Sequence, residues 1–356
     1  MGTQVECPNC GAQMTFDPGT QGLKCSYCGS DRRIDLDHSI IEEKDLDSAS
    51  VLKGWDMDVH TFNCESCGAT ISTGRNITGE CPFCGSHYVR ELPRHDDIIR
   101  PENLIPFKIS LNRAKALFRS WLGKGLFRPN DLKKIKRLRK LNGIYLPFWT
   151  YDCTTHAEWT AESGYYYWET ETYSDYEDGK WVTKTRDVRK IRWEDSRGKR
   201  DDLFDDTLIL ASRGIDENIA EEIYPFHLSA LVPYKPDFLS GWMAEEYSVD
   251  VHEGWRKAKG KVESTVHDRC AGDVPGDTYR FLDVMTRFSD LKYKHILLPI
   301  WSASYHYKKK LYHFLINGQT GEVRGEKPIS WIKVALAVGA GLAAAGIVIY
   351  FYLTSA

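Results

Sequence analysis

Eight of the ten cysteines in the chain occur as Cys-x-x-Cys pairs. The pairs are Cys7/Cys10, Cys25/Cys28, Cys64/Cys67 and Cys81/Cys84. Two thiolates separated by two residues can bind one ion from a tight turn, and two such turns complete a tetrahedral site suited to zinc. The spacings Cys-x2-Cys-x14-Cys-x2-Cys and Cys-x2-Cys-x13-Cys-x2-Cys therefore predict two structural Zn²⁺ ions, each bound by four cysteines.

A glycine follows the second cysteine of every pair, at Gly11, Gly29, Gly68 and Gly85. Glycine favours a knuckle whose backbone turns through positive φ and points N–H groups at sulfur. Four sulfur ligands leave no open coordination position, which predicts a structural rather than a catalytic metal. A redox-active Cys-x-x-Cys is the alternative, but no strand–helix pattern of the thioredoxin kind surrounds any pair.

The cysteine segments repeat, with Cys-Gly-Ala-Gln-Met at residue 10 matched by Cys-Gly-Ala-Thr-Ile at residue 67. The repeat predicts tandem zinc ribbons at residues 1–34 and 59–92, joined by an acidic linker at 35–58. Each repeat holds a complete set of four cysteines, which argues against ions shared between the two. The N-terminus lacks the basic start and apolar region of a signal peptide, so we expect the thiols to stay reduced in the cytosol.

A long apolar segment precedes the C-terminus and predicts a transmembrane helix over residues 331–353. Val334 to Leu353 contain no charged or amide side chain, and a helix of that length spans about 30 Å. A buried core helix is the alternative, but only Thr354-Ser355-Ala356 follow to cover it. The flanking charges lie on one side only, at Arg324, Lys327 and Lys333. The positive-inside rule then predicts a single-pass, tail-anchored protein of the cytoplasmic (inner) membrane with its N-terminus in the cytosol.

Small residues recur at four-residue spacing within this apolar segment. They form two stripes, Ala337, Gly341, Ala345 and Ala335, Gly339, Ala343. Such stripes allow close approach of two helices, so a homo-oligomer formed through the span is one interpretation, and plain apolar filler is the other.

The net charge of −3 conceals a strongly basic segment. Residues 101–150 carry 12 basic and 2 acidic side chains, a sum of +10. Helical periodicity at 114–121 and 132–138 places most of them on two helices within the segment 111–141. The predicted anionic-surface contacts are Arg113, Lys115, Arg119, Lys124, Arg128, Lys133, Lys134, Lys136, Arg137, Arg139 and Lys140. A solvated helix face, anionic lipid and nucleic acid remain three alternatives.

Residues 100–328 predict an α+β domain with an antiparallel sheet. The stretch 145–193 is rich in Tyr, Trp and Thr around a Glu-Asp-Gly-Lys turn, a composition typical of strands and hairpins. Helices are expected near 218–224 and 251–270, and strands at 295–307 and 311–316. The predicted fold class is thus multidomain: two small β zinc ribbons, an α+β domain and a single C-terminal transmembrane α-helix.

Motifs for catalysis are missing from the sequence. It contains no Gly-x4-Gly-Lys-Ser/Thr loop, no Gly-x-Ser-x-Gly elbow and no His-Glu-x-x-His. Aromatic rows such as those at 165–173 can stack nucleic-acid bases, but here they alternate with acidic residues that repel phosphate, which favours a sheet face or protein contact. We therefore expect a protein that is not an enzyme.

Several longer segments resemble one group of bacterial proteins. These are the Cys-Pro-x-Cys-Gly ribbons, Gly143-Ile-Tyr-Leu-Pro-Phe-Trp-Thr-Tyr-Asp, Leu239-Ser-Gly-Trp-Met-Ala-Glu-Glu-Tyr, His295-Ile-Leu-Leu-Pro-Ile-Trp and Ile316-Asn-Gly-Gln-Thr-Gly-Glu-Val-Arg. With them the chain resembles bacterial TFIIB-type zinc-ribbon-containing membrane proteins over nearly its whole length. The resemblance implies a membrane-associated adaptor, and some relatives accompany PspA-like and SPFH-like proteins at the cytoplasmic membrane.

Together these features predict an adaptor or scaffold that faces the cytosol and recruits cytosolic or membrane-associated protein partners to the membrane. The resemblance adds PspA-like or SPFH-like partners and a phage-shock-like response to membrane stress. The alternative is a membrane-tethered zinc-ribbon protein that binds nucleic acid through the ribbons and the basic segment.

Overall fold

The computed structural model describes residues 5–35, 43–48, 60–73, 80–87, 89–93, 98–134, 141–215, 217–308 and 310–355. Its helices are α1 (Leu111–Gly123), α2 (Glu217–Glu222), α3 (Val251–Asp273) and α4 (Trp331–Ser355). Short 3₁₀ turns occupy Leu46–Ser48, Asn130–Lys134, Leu228–Ala230 and Pro236–Leu239. The strands are β1 (Met14–Asp17), β2 (Gly22–Cys25), β3 (Asp31–Arg33), β4 (Lys44–Asp45), β5 (His60–Cys64), β6 (Thr70–Thr73), β7 (Val89–Leu92), β8 (Asn103–Leu104), β9 (Asn142–Glu177), β10 (Lys180–Leu210), β11 (Val232–Pro233), β12 (Met243–Glu245), β13 (Thr278–Tyr307), β14 (Lys310–Asn317) and β15 (Val323–Gly325).

The strands form two sheets. One is a small antiparallel sheet of β1, β2 and β3, and the other has twelve strands with the central order β11-β8-β13-β9-β12-β6-β5-β7. The large sheet is mixed, because β12 pairs in parallel with β9 and β8 pairs in parallel with β13. The expectation of a purely antiparallel sheet is therefore wrong at these two short strands, and the described chain is richer in strand than an evenly mixed α+β domain.

The second ribbon is part of the large sheet. Its strands β5, β6 and β7 pair with one another, and β6 pairs with β12, whose other edge pairs with β9. Because β12 offers hydrogen-bonding groups on both edges, it joins the ribbon to the central strands. The second predicted ribbon is therefore continuous with the large sheet, whereas the strands of the first form a sheet of their own.

Three strands are far longer than ordinary ones. β9 has 36 residues, β10 has 31 and β13 has 30. At about 3.3 Å per residue, β9 alone extends over up to about 120 Å. The prediction of strands and a hairpin within 145–193 is confirmed, and the turn at Asp178 and Gly179 has the positive φ angles of a tight hairpin.

The hairpin of β9 and β10 continues beyond its neighbours. β13 pairs with β9 only as far as Gly164, opposite Thr278. Residues 165–192 beyond that point form a two-stranded ribbon about 40 Å long, which we call the arm. At this point the Asp277 carboxylate accepts a hydrogen bond from the Tyr166 N–H at 2.7 Å and so caps the edge of β9.

Helix α3 covers one face of the long strands below the arm. Asp250 caps its N-terminus by accepting hydrogen bonds from the N–H groups of His252 and Glu253. The buried positions of the helix lie on one stripe, at Val251, Gly254, Ala258, Val262, Val266 and Cys270. This stripe packs on Cys153, Ala157, Trp159 and Ala161 of β9, so the predicted helix near 251–270 is confirmed and supports the strands along their length.

α4 begins at the end of the sheet that is opposite to the arm. The last residue of β13, Tyr307, donates a hydrogen bond to Asp131 at 2.9 Å. In the same region the Ser330 N–H donates to the Phe127 carbonyl at 2.6 Å, and the Lys333 ammonium donates to the Asn130 side chain at 2.8 Å. Since the other end of β13 lies at the base of the arm, about 100 Å of strand separates the two ends.

α4 is long and apolar enough to cross a membrane. Its segment Trp331–Tyr352 has 22 residues and a mean hydropathy of 2.2, and none of it is buried against the rest of the chain. A core helix of this composition would be covered by other elements, so the absence of any cover on the described chain favours the apolar span over the core alternative.

Candidate metal centres

The first four cysteines converge on one point. Cys7, Cys10, Cys25 and Cys28 place their sulfur atoms within 4.8 Å of one another. The Cys7 and Cys28 sulfurs are 3.4 Å apart, and those of Cys10 and Cys25 are 3.6 Å apart. Cys7 and Cys25 are buried, whereas Cys10 and Cys28 are exposed. The predicted grouping of these four ligands is thus present in one site, which we call site 1.

The next four cysteines form an equivalent group, site 2. Cys64, Cys67, Cys81 and Cys84 also lie within 4.8 Å of one another. The distance is 3.6 Å between the Cys64 and Cys84 sulfurs and 3.7 Å between those of Cys67 and Cys81. No cysteine is shared between the two groups, so each repeat supplies its own site.

The sulfur separations suit a tetrahedral ion. A metal bound to four sulfurs at about 2.3 Å, the length of a zinc–sulfur bond, requires neighbouring sulfurs about 3.8 Å apart. The measured separations of 3.4 to 3.7 Å lie slightly below this edge. Each group can therefore hold one metal ion with little adjustment, and a four-thiolate set of this size fits zinc.

The knuckle glycines adopt the predicted backbone. Their φ angles are +72°, +78°, +78° and +70° at Gly11, Gly29, Gly68 and Gly85. Each glycine N–H donates to the carbonyl of the first cysteine of its pair, at 2.8 to 3.0 Å. This turn points the following N–H groups toward sulfur. The prediction of positive φ at these positions is confirmed.

Hydrogen bonds within the knuckles lower the pKa of Cys7 and Cys28 in site 1 and of Cys81 in site 2, and so favour thiolate at these sulfurs. The Ser30 hydroxyl, followed by the Ser30 N–H and the neighbouring thiols, lowers the pKa of Cys28 to about 6. In site 2 a hydrogen bond from Cys67, followed by the N–H groups of Cys84 and Phe83, lowers the pKa of Cys81 to about 5. Metal binding requires deprotonated sulfur, and these donors prepare both groups for it.

The two sites differ in how they contact the rest of the protein. Site 2 belongs to a core in which Cys64 and Cys81 pack with Ile144, Phe148 and Ile300 of the central strands. Site 1 lies in a second core, in which Cys7 and Cys25 cluster with Phe107, Tyr145 and Trp301, and its separate sheet docks on residues 237–242 by hydrogen bonds. Loss of metal from either site would therefore disturb a core, and loss from site 2 would in addition affect strands that pair directly with the large sheet.

Comparison with other proteins places the chain in a family. It is 30% identical over 335 residues to the uncharacterized protein YdjG of Bacillus subtilis (strain 168), an alignment that covers 93% of this chain and 91% of YdjG. The chain belongs to the YdjG family. No protein-family model matches the chain, and no solved structure matches it.

The predicted basic surface is described only in part. Arg113, Arg119 and Lys124 are exposed, while Lys115 and Arg128 are half-buried. Helix α1 confirms the first predicted helix, with Ala114, Phe118 and Leu122 buried. The backbone of Lys133 and Lys134 lies in a 3₁₀ turn. Residues 135–140, with Lys136, Arg137, Arg139 and Lys140, lie outside the described residues, as does most of the acidic linker 35–58.

The arm was only partly visible in the sequence. One of its faces carries an ion-pair ladder in which Lys190 contacts Glu169 at 2.8 Å and Glu171 at 3.0 Å. The other face exposes large aromatic side chains, with Trp168 68% and Trp181 73% accessible to solvent. The aromatic composition indicated strands, but it did not reveal that β9 and β10 continue beyond the end of β13.

A buried lysine surrounded by acidic side chains was not predicted from the sequence. Lys294 is 5% exposed and contacts Asp206 at 2.7 Å, Glu43 at 3.3 Å and Asp152 at 3.7 Å. Burial raises the pKa of Asp152 to about 6. The carboxylates of Glu43, Asp152 and Asp205 lie within 4.8 Å of one another, yet the Lys294 ammonium already supplies a cation there. These residues are distant in sequence, so no local motif could have predicted the group.

Proposed function

We propose that this protein is a membrane-anchored adaptor that uses zinc to hold its ribbons and presents the arm to a protein partner. The observation that carries the proposal is the position of α4 and the arm at opposite ends of β13. An anchor at one end leaves the other end free to reach a partner about 100 Å away. Two structural metal sites and a rigid sheet suit a protein that keeps its anchor and its partner surface apart.

Zinc has a structural role in this proposal. Four sulfurs surround each site and leave no position for a substrate or an activated water. Sheets as small as β1–β3 bury little surface and depend on metal for stability. We therefore assign two structural Zn²⁺ ions and no catalytic metal, and we propose that the protein is not an enzyme.

The anchor in this proposal is α4, with residues 331–353 in the bilayer. The charges at Arg324, Lys327 and Lys333 precede the span, and none follows among the side chains of the described segment. By the positive-inside rule the sheet and ribbons then face the cytosol from the cytoplasmic membrane. The small-residue stripes on α4 are uncovered, and a homo-oligomer through them belongs to the same proposal.

The partner surface in this proposal is the aromatic face of the arm. Tyr176 and Trp181 form an edge-to-face pair at the tip, with ring centroids 5.2 Å apart. Both side chains are exposed, and exposed aromatic residues on a rigid strand are typical anchors of protein interfaces. Following the resemblance to TFIIB-type zinc-ribbon membrane proteins, we propose PspA-like or SPFH-like partners and a role in the response to membrane stress.

The proposal is tested by capture from native membranes. Full-length protein is crosslinked in cells and purified, and its partners are identified by mass spectrometry beside the variant Trp168→Thr/Tyr176→Thr/Trp181→Thr. We expect the arm variant to remain in the membrane fraction after carbonate extraction and to lose a partner that wild type retains. Tyr27→Thr, which removes an exposed aromatic side chain on the first ribbon instead of the arm, is the control. An arm variant with an unchanged partner list contradicts the proposal.

Nucleic-acid binding is the alternative function, and a feature of the arm supports it. The Arg189 guanidinium lies 4.3 Å from the centre of the Tyr166 ring, an arrangement that also suits stacking against bases. Binding of this kind weakens steeply as salt increases. A gel-shift titration with single- and double-stranded DNA and RNA at low and moderate salt tests it, and no shift at low salt excludes it.

A further inference from the structure

Cationic side chains gather where α4 leaves the sheet. Three cationic side chains lie close to Lys327, namely Lys124, Arg128 and Arg324. Burial, followed by repulsion from Arg128, Lys124 and Arg324, lowers the pKa of Lys327. Lys333 lies beside them, bound to Asn130 at the start of the helix. We call these five residues the basic foot.

Two of the three nitrogens of the Arg128 guanidinium have no acceptor in the part of the chain that the structure describes. Its Nε and Nη1 atoms are buried and make no hydrogen bond there, although the residue as a whole is half-buried. A buried cation without an acceptor costs free energy, which an anion in contact with it would restore. Arginine presents its N–H groups in a fork that matches the oxygens of a phosphate.

The described acids near the basic foot offset only one of its five charges. Among the described residues, Glu322 pairs with Arg324 at 3.0 Å and Glu326 pairs with Lys310 at 3.7 Å. The Asp131 carboxylate accepts a hydrogen bond from the Tyr307 hydroxyl and pairs with no described cation of the basic foot. The Lys327 ammonium lies 4.1 Å from the centre of the Trp121 ring and donates to the Lys124 carbonyl at 3.4 Å. The foot therefore keeps an excess of positive charge.

Exposed apolar side chains surround these cations. Leu126 is 85% exposed, and Phe127, Ile329, Trp331 and Ile332 are exposed as well. The Ser330–Phe127 hydrogen bond fixes the loop that carries Leu126 to the first turn of α4. Apolar and aromatic side chains beside a membrane span are suited to the interfacial layer, where lipid phosphates also lie.

We propose that the basic foot binds the phosphate of an anionic lipid headgroup, with Arg128 and Lys327 as its principal ligands. The inference rests on the proposed anchoring by α4, and it adds a ligand class and a site to it. Lipid binding there would hold the sheet in a fixed orientation above the bilayer, because it adds a second contact close to the span.

The test uses full-length protein in a non-ionic detergent. Native mass spectrometry counts bound dihexanoyl-phosphatidylglycerol, with dihexanoyl-phosphatidylcholine and inorganic phosphate as competing probes. We expect one tightly bound phosphatidylglycerol per chain, and at least a tenfold weaker binding in Arg128→Gln/Lys327→Gln. Arg197→Gln/Lys199→Gln removes the same charge from β10, far from the foot, and should bind as wild type does. Arg128→Lys should retain part of the affinity.

A second measurement needs no variant. Phosphatidylglycerol should slow acetylation of Lys327 in the wild-type chain relative to Lys199, and phosphatidylcholine should not. Equal displacement by inorganic phosphate would assign the site to free phosphate and overturn the lipid proposal, as would an equal loss in the control variant. Failure of the anchor is a separate result, because it shows in carbonate extraction and leaves binding in detergent intact.

Discussion

The indole Nε1 of Trp242 donates a hydrogen bond to the carbonyl oxygen of Phe16 at 2.9 Å. Phe16 lies in β1 of the first ribbon, and Trp242 directly precedes β12, which pairs with β6 of the second ribbon. The Ser240 hydroxyl adds a bond to the Met14 carbonyl at 2.7 Å. One short segment thus fastens both metal-binding units to the central strands.

Trp242→Phe should loosen the first ribbon without unfolding the protein. Phenylalanine keeps most of the contact with Phe107 but removes the indole donor, so we expect a loss of about 1 kcal/mol. Hydrogen–deuterium exchange of residues 14–25 should become faster, while exchange of β9 and β13 stays unchanged. Trp168→Phe on the exposed arm is the control, and a similar increase there would contradict the assignment.

The two metal sites should lose zinc in a fixed order. Atomic emission should find about two zinc ions per chain, and one in either Cys10→Ser or Cys84→Ser. A chelator should remove the metal of site 1 first, because Cys10 and Cys28 are exposed. Cys84→Ser should lower the melting temperature more than Cys10→Ser does, since the strands of site 2 pair directly into the large sheet whereas those of site 1 form a sheet of their own. Cys153→Ser, which changes a buried thiol outside both sites, should keep both ions.

Glu245 should make stability depend on pH. Burial raises the pKa of its carboxyl to about 8, only partly offset by the Ser212 hydroxyl, which donates to it at 2.7 Å. The folded protein therefore holds a proton that the unfolded chain releases above its ordinary pKa of 4.5. Stability should fall as pH rises, by about 3 kcal/mol between pH 6 and pH 9.

Glu245→Gln should remove that slope. Thermal unfolding of wild type and variant, followed by circular dichroism from pH 6 to pH 9, measures the difference and cancels effects common to both chains. Glu263→Gln on the exposed side of α3 serves as the control and should keep the wild-type dependence. Parallel curves for wild type and Glu245→Gln would refute the assignment.

Lys294 should be far more important for stability than Lys292. Both contact Glu43 at 3.3 Å, but Lys294 is 5% exposed and also contacts Asp206 and Asp152. Lys294→Met leaves buried carboxylates without a cation, which typically costs about 3 kcal/mol or more. Lys292→Met, whose ammonium is half exposed, should cost less than about 1 kcal/mol. Urea unfolding of the two variants gives the comparison, and equal losses would contradict it.

The arm should be dispensable for folding. Among the described residues, no third strand pairs with residues 165–192, and a two-stranded ribbon in water is marginally stable by itself. Replacing Tyr166–Ile191 by Asn-Gly should change the free energy of unfolding by less than about 1 kcal/mol. Urea unfolding monitored by circular dichroism measures this, with zinc content as a check of the fold. A large loss would mean that the arm is a structural element of the body.

The metal sites and the apolar helix were predictable because their signals are local. Cysteine spacing defines a knuckle within four residues, and the glycines that follow it require no distant partner. The extent of β13 was not predictable in the same way. Its first half, from Thr278 to Lys294, has alternating polar residues, and it forms a strand through pairing with β9. That partner is more than a hundred residues away in sequence.

The pairing of the second ribbon with the large sheet was also not predictable, because it too depends on residues that are distant in sequence. Met243–Glu245 is only three residues long, too short to be recognised as a strand from its composition. Three positions also break the expected glycine preference, since Asp206, Phe281 and Asp290 have φ angles near +54° at shifts of strand register. Bulges of this kind depend on how two long strands fit together.

The ion-pair ladder of the arm has acidic residues on β9 and mainly basic residues on β10. Every charged residue of β9 within the arm is acidic, while β10 opposite it carries lysines and arginines with Asp187 as the exception. Two copies that approach through the same edge therefore meet like charges, which disfavours symmetric pairing of their open edges. An arm of this kind resists edge-to-edge association with a second copy, and its exposed aromatic face stays uncovered.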